Sequence, residues 1–429
     1  MEYFYRVSDA CLQERLEAMG AVLIEGPKWC GKTTTAEQQA KSVIRFQDPD
    51  QREQYDEIAA NRPSLFLIGD NPRLIDEWQD YPVVWDAVRL EVDKRQAPGQ
   101  FILTGSNSVD ESKIRHSGIG RIARMEMLPM SLWESRESSG EVSLRALFDN
   151  PQMDIETVSK LTLEDLIYAA CRGGWPAAVI AKSRKSALSV VQEYVMSVCN
   201  KDISRVDGVQ RNPKLARQIL RSYARNISTL AKSAVMLQDV VASDNIECSR
   251  PTFDDYVAAL EKLFVITDME AWCPAIRSKT TIRSGAKRAF CDPSIAVALL
   301  GLTPEAMLWE LKTFGFIFEQ LCIRDLKAYT SGLYSDVSYY NDRYGLESDV
   351  VLHLGDGRYA LIECKLGAHD IEDGASHLLE LQRLIREHNL KEKQMPIREP
   401  DLLIVLTGSP YGYRRKDGVY VIPIGCLKP

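Results

Sequence analysis

The apolar positions of this chain change period several times, and each change marks an element. Ala21-Val22-Leu23-Ile24 is an unbroken apolar run of the kind that forms a strand buried on both faces, and a loop with two glycines leads from it into a helix expected over Thr34 to Ser42. Leu74-Ile75 and Phe101-Ile102-Leu103 repeat the pattern, the first ending in Asp76-Glu77 and the second in Thr104-Gly105-Ser106-Asn107. From about residue 160 to 245 the period becomes helical, without glycine-rich loops. Residues 227–290 then read as helices followed by a basic hairpin, Arg277 to Arg288, compatible with a winged helix. Alternation returns in Ser338 to Tyr340, Glu347 to Leu352 and Arg358 to Lys365, the last two joined by Gly355-Asp356-Gly357. A helix over Ile371 to His388 and a strand over Leu402 to Leu406 follow.

At 429 residues, 45% apolar and 26% charged, the chain is too long for one hydrophobic core. The pattern predicts an α/β multidomain protein with divisions over residues 1–150, 151–300 and 301–429. A net charge of −7 gives no general attraction to nucleic acid or anionic lipid, so a DNA contact would require local basic patches. Lys214, Arg217, Arg221 and Arg225 form one such stripe on a helix face, and Arg277, Lys279, Arg283, Lys287 and Arg288 form another on the hairpin. The ten cysteines include no CxxC pair, which argues against structural zinc and for a reducing, cytoplasmic setting. No 18-residue apolar run is present, so no membrane span is expected.

The loop after the first strand reads Gly26-Pro27-Lys28-Trp29-Cys30-Gly31-Lys32-Thr33. Its glycines let the backbone curl so that successive amides face phosphate oxygens, with Thr34 continuing into the helix. In this spacing Lys32 reaches the terminal phosphates and the Thr33 hydroxyl ligates magnesium. Asp76 is the expected second metal contact and Glu77 the base that polarises the attacking water. Thr104, Ser106 or Asn107 suits a phosphate sensor. Arg115 and Arg121, in the glycine-containing segment after it, are candidates for a finger supplied to a neighbouring subunit.

With GPKWCGKT, LIDEWQ, FILTGS, GIGR and PMSLWES together, the chain resembles a group of prokaryotic AAA-type P-loop ATPases whose second half is helical and restriction-endonuclease-like. Gly173-Gly174-Trp175-Pro176, Asp292-Pro293 and the closing DGVYVIPI segment extend the resemblance over nearly the whole chain. It implies ATP and ADP as ligands, Mg2+ as cofactor, hydrolysis of ATP, and a homo-oligomer if an arginine finger operates.

The C-terminal pattern carries separate chemistry. Glu363 and Lys365 share one strand face, and a three-residue loop with Gly357 left-handed would bring Asp349 opposite Glu363, about 4.5–5.5 Å away, near enough to share a metal ion. Glu319, on the preceding helix, is a further acidic candidate, and Lys365 would orient water or stabilise a charged phosphate. This D…ExK arrangement resembles the PD-(D/E)xK nuclease core, which makes DNA a candidate partner. The competing expectation is a nucleotide-dependent switch whose nuclease-like domain is a docking platform without cleavage. A third is a DNA-binding ATPase with a degenerate nuclease fold.

Overall fold

The computed structural model describes residues 3–107, 117–242, 247–272, 285–342, 345–391 and 396–429. The chain divides into two compact units, Met1–Pro129 with Lys262–Phe264, and Met130–Glu261 with Val265–Pro429.

The first unit is built on a parallel five-stranded sheet: β1 Ala21–Glu25, β2 Ser42–Arg45, β3 Arg73–Asp76, β4 Phe101–Gly105 and β5 Ile122–Glu126, in the order β2-β3-β4-β1-β5. Alternation sends Val22, Ile24, Leu74 and Ile102 to one face, where Cys11, Leu12 and Leu16 of the helix Val7–Ala18 cover them. Ala21, Leu23, Ile75, Phe101 and Leu103 go to the other, against Val84, Trp85 and Val88 of the helix Val83–Arg95. Both faces being covered explains why these strands are continuous apolar runs. The helix after the glycine loop is shorter than its sequence suggested: it spans Lys32–Glu37, and the Gln38, Gln39 and Ala40 amides close it on the carbonyls of Thr35 and Ala36. That tightened turn frees Ser42 to begin β2.

In the second unit, β6 Val142–Ser143 pairs with the last strand, β14 Leu427–Lys428. The main sheet has seven strands: β7 Glu156–Val158, β8 Asp336–Asn341, β9 Glu347–His353, β10 Tyr359–Lys365, β11 Leu402–Thr407, β12 Tyr411–Arg414 and β13 Tyr420–Pro423. Their order is β7-β12-β13-β11-β10-β9-β8, with β11 parallel to both β10 and β13 and the other pairs antiparallel. Val351, Leu361, Val405 and Val421 pack against Ile371, Leu378 and Leu381 of the helix Ile371–Lys391, burials worth about 1.5–3 kcal/mol per large side chain. The helix Leu311–Thr330 is buried over most of its length, Phe314, Ile317, Phe318 and Leu321 being fully enclosed and Glu319, Gln320, Arg324 and Asp325 buried as polar or charged groups.

Helices fill the segment between. Pro213–Arg225 buries Leu215, Ala216, Ile219, Leu220 and Tyr223, leaving Lys214, Arg217, Arg221 and Arg225 exposed as one stripe, with Arg225 paired to Asp239. The basic hairpin departs from expectation. Arg277, Lys279 and Arg283 lie outside the described residues, while Lys287 and Arg288 are turned inward. Antiparallel bridges Ile266 to Phe290 and Met269 to Lys287 form its base. Arg288 reaches Asp268 at 2.5 Å, and Lys287 is 8% exposed, so neither offers a grip on a phosphate backbone. Asp255, on the helix Arg250–Lys262, holds the buried Arg211 at 3.0 Å.

The segment after β5 is anchored within the second unit by a buried charge network. Arg324 lies between Asp292 at 3.0 Å and Asp325 at 2.7 Å, the side chains of all three being 1% exposed or less. Asp325 accepts the Leu132 amide at 3.0 Å and Asp292 accepts the Gly174 amide at 2.9 Å. The PMSLWES and GGWP motifs thus meet as backbone donors to one buried ion cluster.

Candidate functional site

In an open parallel sheet the ligand crevice lies beyond the carboxyl ends of the strands, where the connections switch direction. Here that point is β1, flanked by β4 and β5, while β2 and β3 lie beyond β4. The loop that leaves β1 curls through three positive-φ residues: Gly26 at 145°, Trp29 at 66° and Gly31 at 105°. Trp29 is the departure, a non-glycine residue held left-handed and 48% exposed on the loop. Gly26 is required by space as well as by φ, since a Cβ there would stand 2.2 Å from the Met127 carbonyl oxygen.

The Lys32 amine is folded back into this curl, donating to the carbonyl oxygens of Gly26 at 2.9 Å and Pro27 at 2.8 Å. Lys32 is 5% exposed. Beneath the loop, Cys30 is fully buried with its thiol on the Met127 carbonyl, so it supports the loop from behind. Lys28 is half-buried and Thr34 exposed at the start of the helix. A residue the sequence reading missed also shapes the loop. The Arg6 guanidinium, 4% exposed, donates to the Cys30 carbonyl at 2.9 Å and the Leu128 carbonyl at 2.8 Å. Its only sequence signal is a charged residue opening a helix with Asp9 at the third position, which caps the Arg6 amide at 2.7 Å.

The acidic pair meets the loop directly. Thr33 Oγ1 donates to Asp76 Oδ1 at 2.6 Å, and Thr104 Oγ1 donates to the same oxygen at 2.7 Å. The register explains it: Ile75 lies beside Leu103 and Ile24 beside Thr104, so the next residue of β3 faces the end of β4. A hydroxyl and a carboxylate this close form the oxygen donor set that suits Mg2+. Glu77 sits at φ 55°, its amide on Thr104 Oγ1 at 3.2 Å. Ser106 Oγ donates to Glu77 Oε1 at 2.7 Å, and Gln79 bonds the other carboxylate oxygen. Thr104, fully buried, therefore reaches the carboxylate expected to hold the metal, and Ser106 the one expected to act as base. Asn107 presents a buried Oδ1 with no hydrogen-bond partner among the described residues. Arg121 pairs with Asp93 at 2.8 Å within the first unit, and Arg115 lies outside the described residues.

In the second unit, Leu354 and Arg358 close the β9–β10 hairpin around Gly355-Asp356-Gly357, with Gly357 at φ 88°. Ile362 pairs with Val350, so the register continues to Glu363 and Asp349. Asp349 Oδ2 accepts the Cys364 amide at 2.9 Å and lies 4.0 Å from Lys365 Nζ. Lys365 also sits 2.6 Å from Glu363 Oε2. Glu319 joins from the helix Leu311–Thr330, and the unexpected member is Lys287, whose amine is 2.6 Å from Glu319 Oε1 and 3.5 Å from Asp349 Oδ1. The three carboxylates expected to share a metal ion thus meet two lysines. Among the described residues no group of three or more His, Cys, Asp and Glu side chains is arranged to hold a metal.

Burial, with Asp349 adding to it and Lys287 opposing, raises the Glu319 carboxyl to about 8. Burial does the same for Glu363, again to about 8, with Asp349 adding and Lys365 opposing. For Lys287 burial works to lower the amine, but the Glu319 and Asp349 carboxylates more than reverse it, leaving it raised and charged. A pocket of 680 Å³ opens onto this cluster, lined by Lys312, Glu319, Glu347, Asp349, Lys365 and Asp370 among others.

A parallel sheet with a phosphate-type loop at its switch point and an acid pair at the end of β3, one strand beyond β4, defines the class to which the first unit belongs. Residues 19–135 match the family described as an AAA domain, so this part of the chain is an AAA-type P-loop ATPase-like domain. Residues 163–306 and 314–427 match two families described as domains of unknown function, DUF8612 and DUF4143. The uncharacterized proteins Mb2031c of Mycobacterium bovis and Rv2008c of Mycobacterium tuberculosis are each 23% identical over 327 residues, covering 74% of this chain and 65% of their own length. The chain therefore spans somewhat under two thirds of these curated relatives. Among solved structures, a Walker-type ATPase of Pyrococcus abyssi aligns at 13% identity with a TM-score of 0.43, covering 70% of this chain and 96% of that one. No helix among the described residues is long and apolar enough to cross a membrane.

Proposed function

We propose that this chain binds ATP in the Gly26 to Thr33 loop and hydrolyses it, as the motor or gate of a cytoplasmic protein whose AAA-type module, over residues 1–150, is followed by a helical lid region, over 151–300, and a nuclease-like domain, over 301–429. The observation that carries the reading is the convergence of the Thr33 and Thr104 hydroxyls on one Asp76 carboxylate oxygen beside the curled loop. Loop amides and Lys32 bind and orient the triphosphate. Thr33 and Asp76 would hold Mg2+, which neutralises phosphate charge when bound. Glu77, fixed by Ser106 and Gln79, accepts the proton of the attacking water, so Ser106 and Gln79 act as positioning residues. Arg121 is the described candidate for a finger, which would require release from Asp93 and a neighbouring copy.

The test is Mg2+-dependent ATP turnover by the wild type, Lys32→Ala and Glu77→Gln, with and without DNA. Turnover that vanishes in the first variant and falls steeply in the second supports the reading. Wild-type turnover no faster than that of Lys32→Ala sinks it.

For the C-terminal domain, the 680 Å³ pocket onto Glu319, Asp349 and Lys365 supports a PD-(D/E)xK-like site acting on DNA. A second reading, a nucleotide-dependent switch without cleavage, is favoured by the inward turn of Lys287 and Arg288, which removes two basic residues from any DNA-facing surface. Incubation with single- and double-stranded DNA plus Mg2+ or Mn2+ separates them. Cleavage lost in both Asp349→Ala and Lys365→Ala supports the nuclease; absence of cleavage and of salt-sensitive binding supports the switch.

A further inference from the structure

The cluster around Glu319 contains a cation supplied by the chain itself. The Lys287 amine has three N–H donors and faces three oxygens: Glu319 Oε1 at 2.6 Å, the Asp349 carbonyl at 3.4 Å and Asp349 Oδ1 at 3.5 Å. Two carboxylates and a backbone carbonyl are also the donors a hard divalent ion selects, at about 2.0–2.6 Å. An ion bound to these oxygens would have to stand within the volume the ammonium fills. The amine is not a loose visitor, because the Lys287 backbone is fixed by a reciprocal pair of 2.9 Å hydrogen bonds to Met269. The Tyr339 ring, 5.8 Å from Nζ, walls one side.

We propose that Lys287 is a built-in counter-ion that closes this site to divalent cations, and that a latent site for a Mg2+ or Mn2+ type ion, formed by Glu319 and Asp349, appears when the amine is removed. The inference rests on reading these carboxylates as a cation site, which belongs to the nuclease-like interpretation above. It adds that the folded wild-type chain keeps that site neutralised by a side chain from the hairpin, so metal and ammonium are alternatives at one position. Lys365 is not equivalent to it: that amine pairs with Glu363 and stands 4.0 Å from the other Asp349 oxygen.

Mn2+ titration of the nucleotide-free full chain, followed by the paramagnetic resonance of free Mn2+, tests this. The variants are Lys287→Met, Lys287→Gln and Lys287→Met with Asp349→Asn. Both single variants should gain one Mn2+ per chain, bound about tenfold tighter or more than by wild type, since a unit positive charge has left the ion's position. The double variant should lose it, and Mn2+ should raise the unfolding temperature of the single variants but not of the wild type. Wild-type protein binding Mn2+ as tightly as Lys287→Met, with the binding lost in Asp349→Asn, would show a working metal site and overturn the counter-ion role. Folded Lys287→Met and Lys287→Gln that gain no Mn2+ would instead overturn the reading of the carboxylates as a cation site. If neither variant folds, the wild type and Asp349→Asn still decide: equal and negligible Mn2+ binding supports the closed site, and Asp349-dependent binding refutes it.

Discussion

Thr104→Val is the substitution that asks most directly how the acid pair is held. Valine keeps the shape of a fully buried side chain and removes one hydroxyl, which donates to Asp76 Oδ1 at 2.7 Å and accepts the Glu77 amide at 3.2 Å. A hydrogen bond to a charged acceptor contributes about 1.5–3 kcal/mol. If that energy fixes Asp76 and Glu77 for the transition state, its loss slows turnover roughly 10- to 100-fold, at about 1.4 kcal/mol per factor of ten. The Thr104 hydroxyl's hydrogen bonds go to Asp76 and the Glu77 amide, so the KM for ATP should stay within about threefold. The orphaned Glu77 amide should also cost about 1–2 kcal/mol of stability, a fall of a few degrees in Tm. Steady-state ATP hydrolysis and a thermal melt on the same preparation provide both readouts. A variant with a lowered Tm but wild-type kcat would refute the reasoning, because Thr104 would then be packing and not positioning.

Gly26→Ala should abolish nucleotide binding measured by calorimetry, because φ 145° is foreign to alanine and its Cβ would meet the Met127 carbonyl at 2.2 Å. Arg324→Met leaves Asp292 and Asp325 as buried unpaired charges, a loss of about 3–5 kcal/mol, so scanning calorimetry should show the second unit melting on the order of 10 °C lower. Glu319 and Glu363 have carboxyls held above their ordinary range, at about 8, so the folded chain binds more protons than the unfolded one. Stability should therefore fall progressively as pH rises from about 5 to about 8, between the unfolded and folded values, and level off above that; the fall should be smaller in Asp349→Asn, which removes the charge that adds to both shifts, and denaturant midpoints across that range check it.

Much of this was legible because short-range rules govern it. The β1 strand and the glycine loop are set by a four-residue apolar run and two residues tolerant of positive φ. The β9–β10 hairpin follows from alternation plus Gly357, which fixes the register that leads to Asp349 and Glu363. What the sequence hid depends on distant partners. Arg6 and Cys30 are separated by 24 positions, and nothing local shows that a guanidinium props the loop. Lys287 reads as one of several basic residues on a hairpin; its partners are 32 and 62 positions away, and only the packed fold sets the amine between their oxygens. Trp29 at positive φ is hidden for another reason, since that conformation runs against the local preference of a non-glycine residue. The strand β7 is three residues long, too brief for alternation to register, yet it completes the seven-stranded sheet.

On the reading proposed above, the loop from Gly26 to Thr33, closed by Lys32, holds a triphosphate. Equilibrium binding of a fluorescent ATP analogue, with Mg2+, to wild type and Lys32→Ala measures that directly. Saturable binding at one site per chain is expected, displaced by unlabelled ATP and weakened at least about a hundredfold in Lys32→Ala, the loss of a charge-assisted phosphate contact. Indistinguishable binding curves for the two proteins would contradict it.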